Sequence, residues 1–274
     1  MIAKLTRFNI RVIIIIGVFL SLFPFYWLLV TASETSDQLY SMPPKLTFGH
    51  ALLTNITTVF TQTPFVHALG NTLFIATIST VCVLFFDSLA GFTFAKIPFK
   101  GKKPLFAFLL LTMTIPGQLS IIPSFYLMDK LGWIGSYKAL IVPGMANAFG
   151  IFWLNQYCHN AIPDSLLEEA RLEGCSIFRC YVLIGLPLMK PALVFLGLFT
   201  FMGSWNDYMW PLIILNDQSK YTLMLALTQL KGLYTTNYPL VITGALLAVA
   251  PLILLFILFA KQIMSGVING TVKQ

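Results

Sequence analysis

Residues 168–187 read EEARLEGCSIFRCYVLIGLP. Four of the first six side chains are charged, Gly174 follows directly, and the stretch then becomes apolar and ends at Pro187. Because glycine adopts the left-handed backbone that often ends a helix, this pattern predicts two helical arms joined at Gly174. The stretch lies between two long apolar segments, so a polar, broken helix interrupts a mostly hydrophobic chain.

The composition places the rest of the chain in a membrane. Of its 274 residues, 57% are hydrophobic and only 10% are charged, whereas soluble domains carry about 25% charged residues. Segments that approach the ~20 apolar residues of a spanning helix are 11–31, 71–95, 105–127, 138–158, 188–212 and 240–260. We therefore predict an all-α polytopic membrane protein with six transmembrane helices in a single domain, 1–274, and an inner loop at 159–187.

The first apolar segment has some features of a secretory signal peptide, because Val30–Thr31–Ala32 resembles a cleavage site. Its apolar run is nevertheless close to 20 residues long, and the hydrophobic region of a signal peptide has about 7–15. We interpret the segment as a retained first transmembrane helix.

The distribution of lysine and arginine predicts the orientation. Basic residues favour the cytoplasmic side, and a cytoplasmic N-terminus places most of the 17 on that side. These inner residues are Lys4, Arg7, Arg11, Lys96, Lys100, Lys102, Lys103, Arg171, Arg179, Lys190, Lys261 and Lys273. Both termini are then cytoplasmic. The net charge of +7 is spread over several short loops, which argues against nucleic acid as a partner.

Several kinds of chemistry have no motif in this sequence. The Gly101–Lys102 pair lacks the other residues of a phosphate-binding loop, so the chain is not expected to hydrolyse ATP or to be an enzyme by itself. No His or Cys spacing is typical of a metal site, and we expect no cofactor. In the predicted topology no cysteine lies in an outer loop, so we expect no extracellular disulfide. The cysteines are Cys82, Cys158, Cys175 and Cys180.

Asp87 is the acidic residue that lies deepest in a predicted span, within VLFFDSLAGF. A carboxyl group there costs a few kcal/mol unless it has a partner. One interpretation is structural, with Asp87 hydrogen-bonded to Ser88 or to a neighbouring helix. The other is functional, with Asp87 lining or gating a transport path, as in an ion-coupled secondary transporter.

The inner loop contains a possible helix start at Ser165. Ser165 and Glu168 have the spacing of a capping box, which predicts a short helix over about 166–173. A second helix is expected to begin at Ser176 and to run to about Leu186. A helix as short as the first is unstable alone in water, so it must pack against something.

The whole loop resembles the EAA loop of bacterial ABC importer permeases. In that pattern E-A-A is followed by three residues, a glycine, nine residues and I-x-L-P. Here Glu168, Glu169 and Ala170 precede Gly174, and Ile184–Gly185–Leu186–Pro187 follows at the same spacing. Glu169 departs from the pattern, since alanine is usual at that position. The resemblance then implies that its side chain points to the rim of the contact or meets a basic residue on the partner.

The resemblance implies the type I ABC importer permease fold and a coupling role for the loop. Its short helix would dock into a cleft of a cytoplasmic ATPase subunit, and ATP would be bound by two such partner subunits. The residues expected to serve this coupling are Ser165, Glu168, Glu169, Ala170, Arg171, Gly174 and Pro187. Pro187 would end the second arm or kink it into the fifth span.

Other stretches narrow the resemblance to one subgroup. SLAGFTFAKIPFKGK, TMTIPGQLSIIPSFYLMDKLGWIGSYKALIVPG and FTFMGSWNDYMWPLIILNDQSKYTL are similar to the carbohydrate (maltose-type) importers, and to the shorter of their two paired permeases. A subunit that imports a sugar or oligosaccharide is therefore expected. An importer of glycerol phosphates shares these motifs and stays an alternative, with an ion-coupled transporter and a structural subunit of a membrane enzyme as further ones.

Candidate substrate contacts lie near the outer end of the fifth span. GSWNDYMWP places Trp205, Asn206 and Asp207 together with further aromatic rings, and sugars are bound by aromatic faces and hydrogen-bonding groups. The alternatives are an interfacial aromatic belt and interhelical hydrogen bonds. Gln118, with Ser120 and Ser124, is a second candidate on the third span.

The resemblance also implies the partners. They are a second, paralogous permease subunit, two ATPase subunits and an extracytoplasmic sugar-binding protein, which would touch outer loops 33–50 and 213–239. The expected location is the lipid bilayer of a bacterial cytoplasmic (inner) membrane.

Overall fold

The computed structural model describes residues 2–39, 41–43, 45–232 and 236–271, with side chains between residues 9 and 260. Within these ranges the chain is helical, and the only β-type pairing is one isolated bridge between Lys231 and Thr236. Lys273, one of the basic residues assigned to the inner side, lies outside the described residues, as does part of outer loop 213–239.

Four helices are long and apolar enough to cross a membrane, among the residues described. They are α1 (Ile2–Ala32), α4 (Phe65–Lys96), the continuous helix Ile177–Asn206 and α14 (Tyr238–Thr271). The first, second and sixth predicted spans lie within three of them. The predicted fifth span, 188–212, is shifted, because its helix begins on the inner loop and ends at Asn206.

The third predicted span is broken. Helix α5 (Lys102–Thr112) is followed by a 3₁₀ turn, Gly117–Ser120, that leads into α6 (Ile121–Lys130), and the two parts are bent by 91°. The predicted span 105–127 is therefore not one continuous helix. Pro116 lies at the bend with an extended ψ of 126° and has no N–H to donate, so an α-helix cannot continue through it.

The fourth predicted span, 138–158, is also interrupted. Helix α7 (Lys138–Ile141) leads into a 3₁₀ turn, Val142–Gly144, and α8 (Ala148–Ala161) begins only after Asn147. Asn147 has extended backbone angles (φ −136°, ψ 149°), and its side chain accepts a hydrogen bond from the N–H of Gly150. This N-cap starts a new helix within the predicted span.

Short helices complete the described chain. Those outside the inner loop are α2 (Ser36–Leu39), α3 (Leu52–Gln62), α12 (Met209–Ile214) and α13 (Leu223–Leu227). The inner loop contains α9 (Asp164–Leu172) and α10 (Ile177–Cys180), and a π-helical turn, Tyr181–Gly185, joins α10 to α11 (Leu186–Asn206).

The chain forms two compact units. One contains residues up to Val66 and Ala226–Pro251, and the other contains His67–Leu225 and the residues from Leu252 onward. In the first unit the carbonyl of Ala32 accepts hydrogen bonds from Asn55 and from Thr243, which ties α3 and α14 to the end of α1.

In the second unit, buried side chains of α4, α8 and α11 pack together. One cluster consists of Val83, Leu154, Ala192 and Leu196. A second cluster, nearer the inner loop, includes Phe92, Cys158, Leu167, Tyr181 and Met189. The second unit therefore joins the inner loop to two of the long helices through an apolar core.

Large apolar side chains cover much of the exterior of the long helices. The most apolar 18-residue window of α1 has no buried residue, and Phe19 and Leu20 are among its most exposed side chains. Apolar surface of this extent is rare on soluble monomers and marks contact with lipid or with other proteins. The arrangement agrees with an all-helical membrane protein.

Candidate functional site

Helix α9 is the element that the sequence predicts to couple to a partner. It begins at Asp164, directly after Pro163, whose backbone is extended (φ −63°, ψ 137°). Ser165 therefore lies within the first turn and not at the N-cap, so the predicted capping box with Glu168 is wrong. Pro163 stops the helix from extending backwards, and the acidic Asp164 suits the positive end of the helix dipole.

Gly174 ends α9 in the predicted left-handed conformation, with φ +85°. The N–H of Gly174 donates to the carbonyl of Arg171 over 3.0 Å, and the N–H of Cys175 donates to that of Ala170 over 2.9 Å. This is the hydrogen-bond pattern of a Schellman motif. A Cβ at Gly174 would meet nothing within 4 Å, so backbone conformation and not crowding within the chain favours glycine.

One face of α9 packs into the protein. Leu167 is buried in the cluster with Phe92 and Tyr181, and Ala170 is half-buried against the same cluster. The second alanine of the EAA pattern therefore has an internal packing partner. Because Leu167 and Ala170 are three residues apart, they lie on one side of the helix and hold it to the membrane-spanning part.

The opposite face of α9 is exposed. Leu172 is 88% exposed, the highest exposure of any leucine on this helix. The other exposed side chains of the helix and its C-cap are Asp164, Ser165, Leu166, Glu168, Glu169, Arg171 and Glu173. The helix thus presents apolar and mainly acidic groups outward, a combination that suits docking into another protein.

An ion pair ties the start of α9 to α4. The Nζ of Lys96 lies 2.7 Å from Oδ1 of Asp164. The Lys96 side chain is only 3% exposed, whereas that of Asp164 is 76% exposed. The hydrogen bond and the charge of Lys96 lower the pKa of Asp164 below its ordinary value. Sequence reasoning missed this pair, since the residues are 68 positions apart.

The second arm begins as predicted at Ser176, whose hydroxyl accepts a hydrogen bond from the N–H of Arg179 over 3.3 Å. It does not end at Pro187, because the helix continues without a sharp break from Ile177 to Asn206. The π turn Tyr181–Gly185 lies immediately before this proline. Pro187 has no N–H for the usual intrahelical bond, and a π turn is one way to accommodate such a gap.

The π turn packs closely on α4. The hydroxyl of Tyr181 lies 2.7 Å from that of Ser88, and its ring is 5.5 Å from the ring of Phe92. A Cβ at Gly185 would lie 3.0 Å from Phe92. The small residue in I-G-L-P therefore allows the second arm to approach α4.

Asp87 is fully buried and hydrogen-bonded to the start of α8. Its Oδ1 accepts from the backbone N–H of Asn147 and its Oδ2 from the side-chain amide of Asn147, both over 3.0 Å. Oδ1 of Asn147 in turn accepts from the N–H of Gly150 over 2.8 Å. The partner is thus on a neighbouring helix, and Ser88 bonds to Tyr181 instead.

The fold places the aromatic and polar residues at the end of α11 in different environments. Trp205 is fully buried and stacks on Phe201, with ring centroids 5.6 Å apart. Among the described residues its indole N–H has no hydrogen-bond partner. Asp207 is half-buried and accepts from the N–H of Trp210. Asn206 is exposed and donates to the carbonyl of Met202, so of these three it is best placed to meet a ligand.

Gln118 lies in the bend between α5 and α6. The residues of this bend from Met113 to Ser120 are all exposed.

Asn206 lies at one end of the helix Ile177–Asn206, and α9 lies just before its other end. This helix has 30 residues and is therefore about 45 Å long. This length matches the thickness of a bilayer with its headgroups, ~40–45 Å. The predicted ligand contact and the predicted coupling helix therefore lie at opposite ends of this helix.

Comparison with known proteins shows the family. Residues 87–268 match the family model described as "Binding-protein-dependent transport system inner membrane component". This range begins at Asp87 and includes the whole inner loop and both arms.

Relatives match over most of their length. The arabinooligosaccharides transport system permease protein AraQ of Halalkalibacterium halodurans is 31% identical, over 93% of this chain and 92% of its own. The lactose transport system permease protein LacG of Rhizobium radiobacter is 32% identical, over 94% and 93%. The sn-glycerol-3-phosphate transport system permease protein UgpE of Yersinia pestis is 29% identical, over 95% of each.

A solved structure has the same fold. It is a chain of a bacterial ABC transporter involved in the import of the acidic polysaccharide alginate, with a TM-score of 0.79. The likeness covers 94% of this chain and 96% of that one, at 20% sequence identity.

Proposed function

Because the chain belongs to the family of binding-protein-dependent transport system inner membrane components, we propose that it is a permease subunit of an ATP-driven importer for a sugar or oligosaccharide. It forms part of the path across the membrane. It does not hydrolyse ATP itself, and partner ATPase subunits supply the energy.

Helix α9 carries this proposal. It has a buried face that fixes it to the membrane-spanning helices and an exposed face with no internal packing for Leu172. A cleft that receives it needs apolar floor for Leu166 and Leu172 and basic groups for Glu168 and Glu169. Such a cleft on an ATPase subunit passes its motion to α9, a short helix that the Gly174 turn and the ion pair at Asp164 hold in place.

Sugar is the substrate class that the relatives favour. Two relatives above 30% identity carry names of oligosaccharide or lactose permeases. The exposed amide of Asn206 and the exposed ring of Tyr208 lie at the end of α11 that is remote from α9, and amide and aromatic groups suit a polyhydroxylated ligand. A glycerol phosphate would need basic groups near the candidate ligand contacts, and neither the bend from Met113 to Ser120 nor the last turn of α11 contains a lysine or arginine.

Six spans with both termini cytoplasmic are the topology that we propose. The bent pair α5–α6 counts as one broken span, and the interrupted pair α7–α8 as another. Lysine and arginine placement supports the inward orientation of α9, and the likeness of fold to an ABC importer chain supports the type I permease architecture. The exposed apolar surface of α1 is available to lipid and to a second permease subunit.

Copurification tests the proposal. Leu172→Asp places a charge on the exposed face of α9 without touching the core, so the chain should insert normally but lose its ATPase partner. Leu172→Met keeps the apolar contact and serves as the matched control. The tagged chain is purified in mild detergent, and the proteins that elute with it are identified by mass spectrometry.

The expected result is an ATPase subunit and a second permease with the native chain and with Leu172→Met. The ATPase subunit alone should be lost from Leu172→Asp. Equal recovery of the ATPase with both variants would overturn the docking role of α9. Uptake of labelled oligosaccharide that stops with an uncoupler, at unchanged ATP, would instead indicate an ion-coupled transporter.

A further inference from the structure

Helix α4 contacts the first residues of α8 and of the predicted docking helix α9. At one point Asp87 holds Asn147, the N-cap of α8. At the other, Lys96 holds Asp164, the first residue of α9. The two points are nine residues apart on α4, which is about 14 Å along its axis.

The segment between these points is short and packed. Helix α8 ends at Ala161, and only Ile162 and Pro163 separate it from α9. Ile162 is fully buried, in the same cluster as Phe92 of α4 and Leu167 of α9. Helices α8 and α9 are therefore attached to α4 at both N-termini and by apolar packing between them.

The contact at Asp87 is closely fitted. A Cβ on Gly150 would lie 2.0 Å from Oδ2 of Asp87, so the carboxylate occupies the space beside the first turn of α8. A buried carboxylate needs strong partners. It has two N–H donors from Asn147 and lies at the N-terminal end of a 14-residue helix, where the helix dipole favours negative charge.

We propose that Asp87 is a positioning residue for energy coupling: its bonds to Asn147 hold α8, and through it the docking helix α9, in a fixed position on α4, so that a displacement of α9 moves α4. This inference rests on the proposed coupling role of α9. The carboxylate acts through Asn147 and contacts neither substrate nor nucleotide.

Exchange of the two side chains separates this role from a role of the acid itself. In Asp87→Asn the amide of residue 87 faces the amide of Asn147, and one hydrogen bond is lost. In Asn147→Asp two carboxylates face each other. In the double variant D87N/N147D, the amide at 87 donates to the carboxylate at 147, whose second oxygen still accepts from the N–H of Gly150.

The experiment uses the importer assembled with its partner subunits in proteoliposomes, and it measures oligosaccharide transported per ATP hydrolysed. A second readout is the melting temperature of the tagged chain purified alone. Each single variant is expected to show a several-fold fall in transport per ATP and a lower melting temperature. The double variant is expected to recover both.

Recovery of melting temperature without recovery of transport per ATP would overturn the proposal, because the acid would then be needed at position 87 itself. Native coupling in Asp87→Asn would also overturn it. If even the native assembly showed no ATP-driven transport, the proposed function would fail. The melting temperatures of the four chains would still test the Asp87–Asn147 pair.

Discussion

At the residue scale, the inner loop depends on a few side chains with separate physical roles. Gly174 supplies a backbone conformation, with φ +85°, Asp164 supplies a charge for Lys96, and Leu172 supplies exposed apolar surface. None of these roles substitutes for another. Variants at these positions should therefore give distinct defects.

Substitutions at Gly174 should separate the effect of backbone strain from the effect of an added negative charge. Alanine should cost about 1 kcal/mol in the left-handed position, whereas asparagine tolerates that conformation and is the neutral isostere of aspartate. We expect transport per ATP to fall in the order Gly, Asn, Asp, because an added carboxylate joins an already acidic face. Membrane insertion, measured by fractionation, should be unchanged. Full coupling in Gly174→Asp would contradict this reading.

The ion pair at Asp164 predicts a pH dependence. Lys96 lowers the pKa of Asp164 below its ordinary 3.8, so the folded chain keeps this carboxylate ionised to lower pH than the unfolded chain does. The contribution of the pair to stability is thus complete above the ordinary pKa and is lost as the pH falls through the lowered one. Because Asp164 is largely exposed, the effect is small.

Thermal unfolding of the native chain and of Asp164→Asn checks this expectation. The two melting temperatures should differ slightly and by a constant amount between pH 5 and pH 8, and should converge as the pH falls below the ordinary pKa. A difference that grows towards low pH would show that another group is responsible.

At the element scale, α9 is stable because of what it packs against. It has nine residues, fewer than the ~12–15 at which isolated helices become even marginally stable in water. The apolar contacts of Leu167 and the Schellman turn at Gly174 supply the stability that a helix of this length lacks on its own. The break before α8 is similarly stabilised by the N-cap at Asn147. The π turn Tyr181–Gly185 joins α10 to α11 near Pro187.

Two adjacent leucines test this account of α9. Leu167→Ala removes a side chain from the cluster with Phe92 and Tyr181, and should destabilise the chain by about 2 kcal/mol. Leu166→Ala, on the exposed face, should change stability by less than about 0.5 kcal/mol. The measurement is thermal or denaturant unfolding of each purified variant. Equal effects would mean that the buried face of α9 has been misassigned.

At the scale of the whole molecule, the fold separates two surfaces by the length of the helix Ile177–Asn206. Helix α9 lies before one end of it, and Asn206 lies at the other. An importer needs this separation, because its energy enters on one side of the membrane and its substrate on the other. The bends between α5 and α6 and between α7 and α8 contain exposed residues, and non-helical backbone in membrane proteins commonly lines a path.

Cysteine labelling tests the orientation. In a background without the four native cysteines, a cysteine at Gln218 should react with a membrane-impermeant maleimide in intact cells. A cysteine at Ser165 should react only after the cells are opened. Both positions are exposed on the chain itself, and the cells lack the ATPase subunits, so that docking does not cover Ser165. The reverse pattern would place α9 outside and would exclude coupling to a cytoplasmic ATPase.

The class of protein, the family and the position of the short helix in the inner loop were predictable from the sequence alone. The class follows from hydropathy, which depends only on composition. The family follows from the spacing between Glu168 and Pro187, which is a pattern within one short segment. The left-handed Gly174 and the cap at Ser176 were predictable for the same reason, since each depends on neighbours within a few residues.

The breaks in the predicted spans and the contacts that hold α9 became known only from the three-dimensional fold. An 18-residue hydropathy average does not register a bend at Pro116 or a new N-cap at Asn147. The ion pair that ties Asp164, the first residue of α9, to α4 depends on Lys96, which is 68 residues away. The hydrogen-bond partner of Asp87, Asn147, likewise could be identified only from the packing of α8 against α4. Contacts between distant segments depend on how helices pack, and a single sequence does not state which side chains meet.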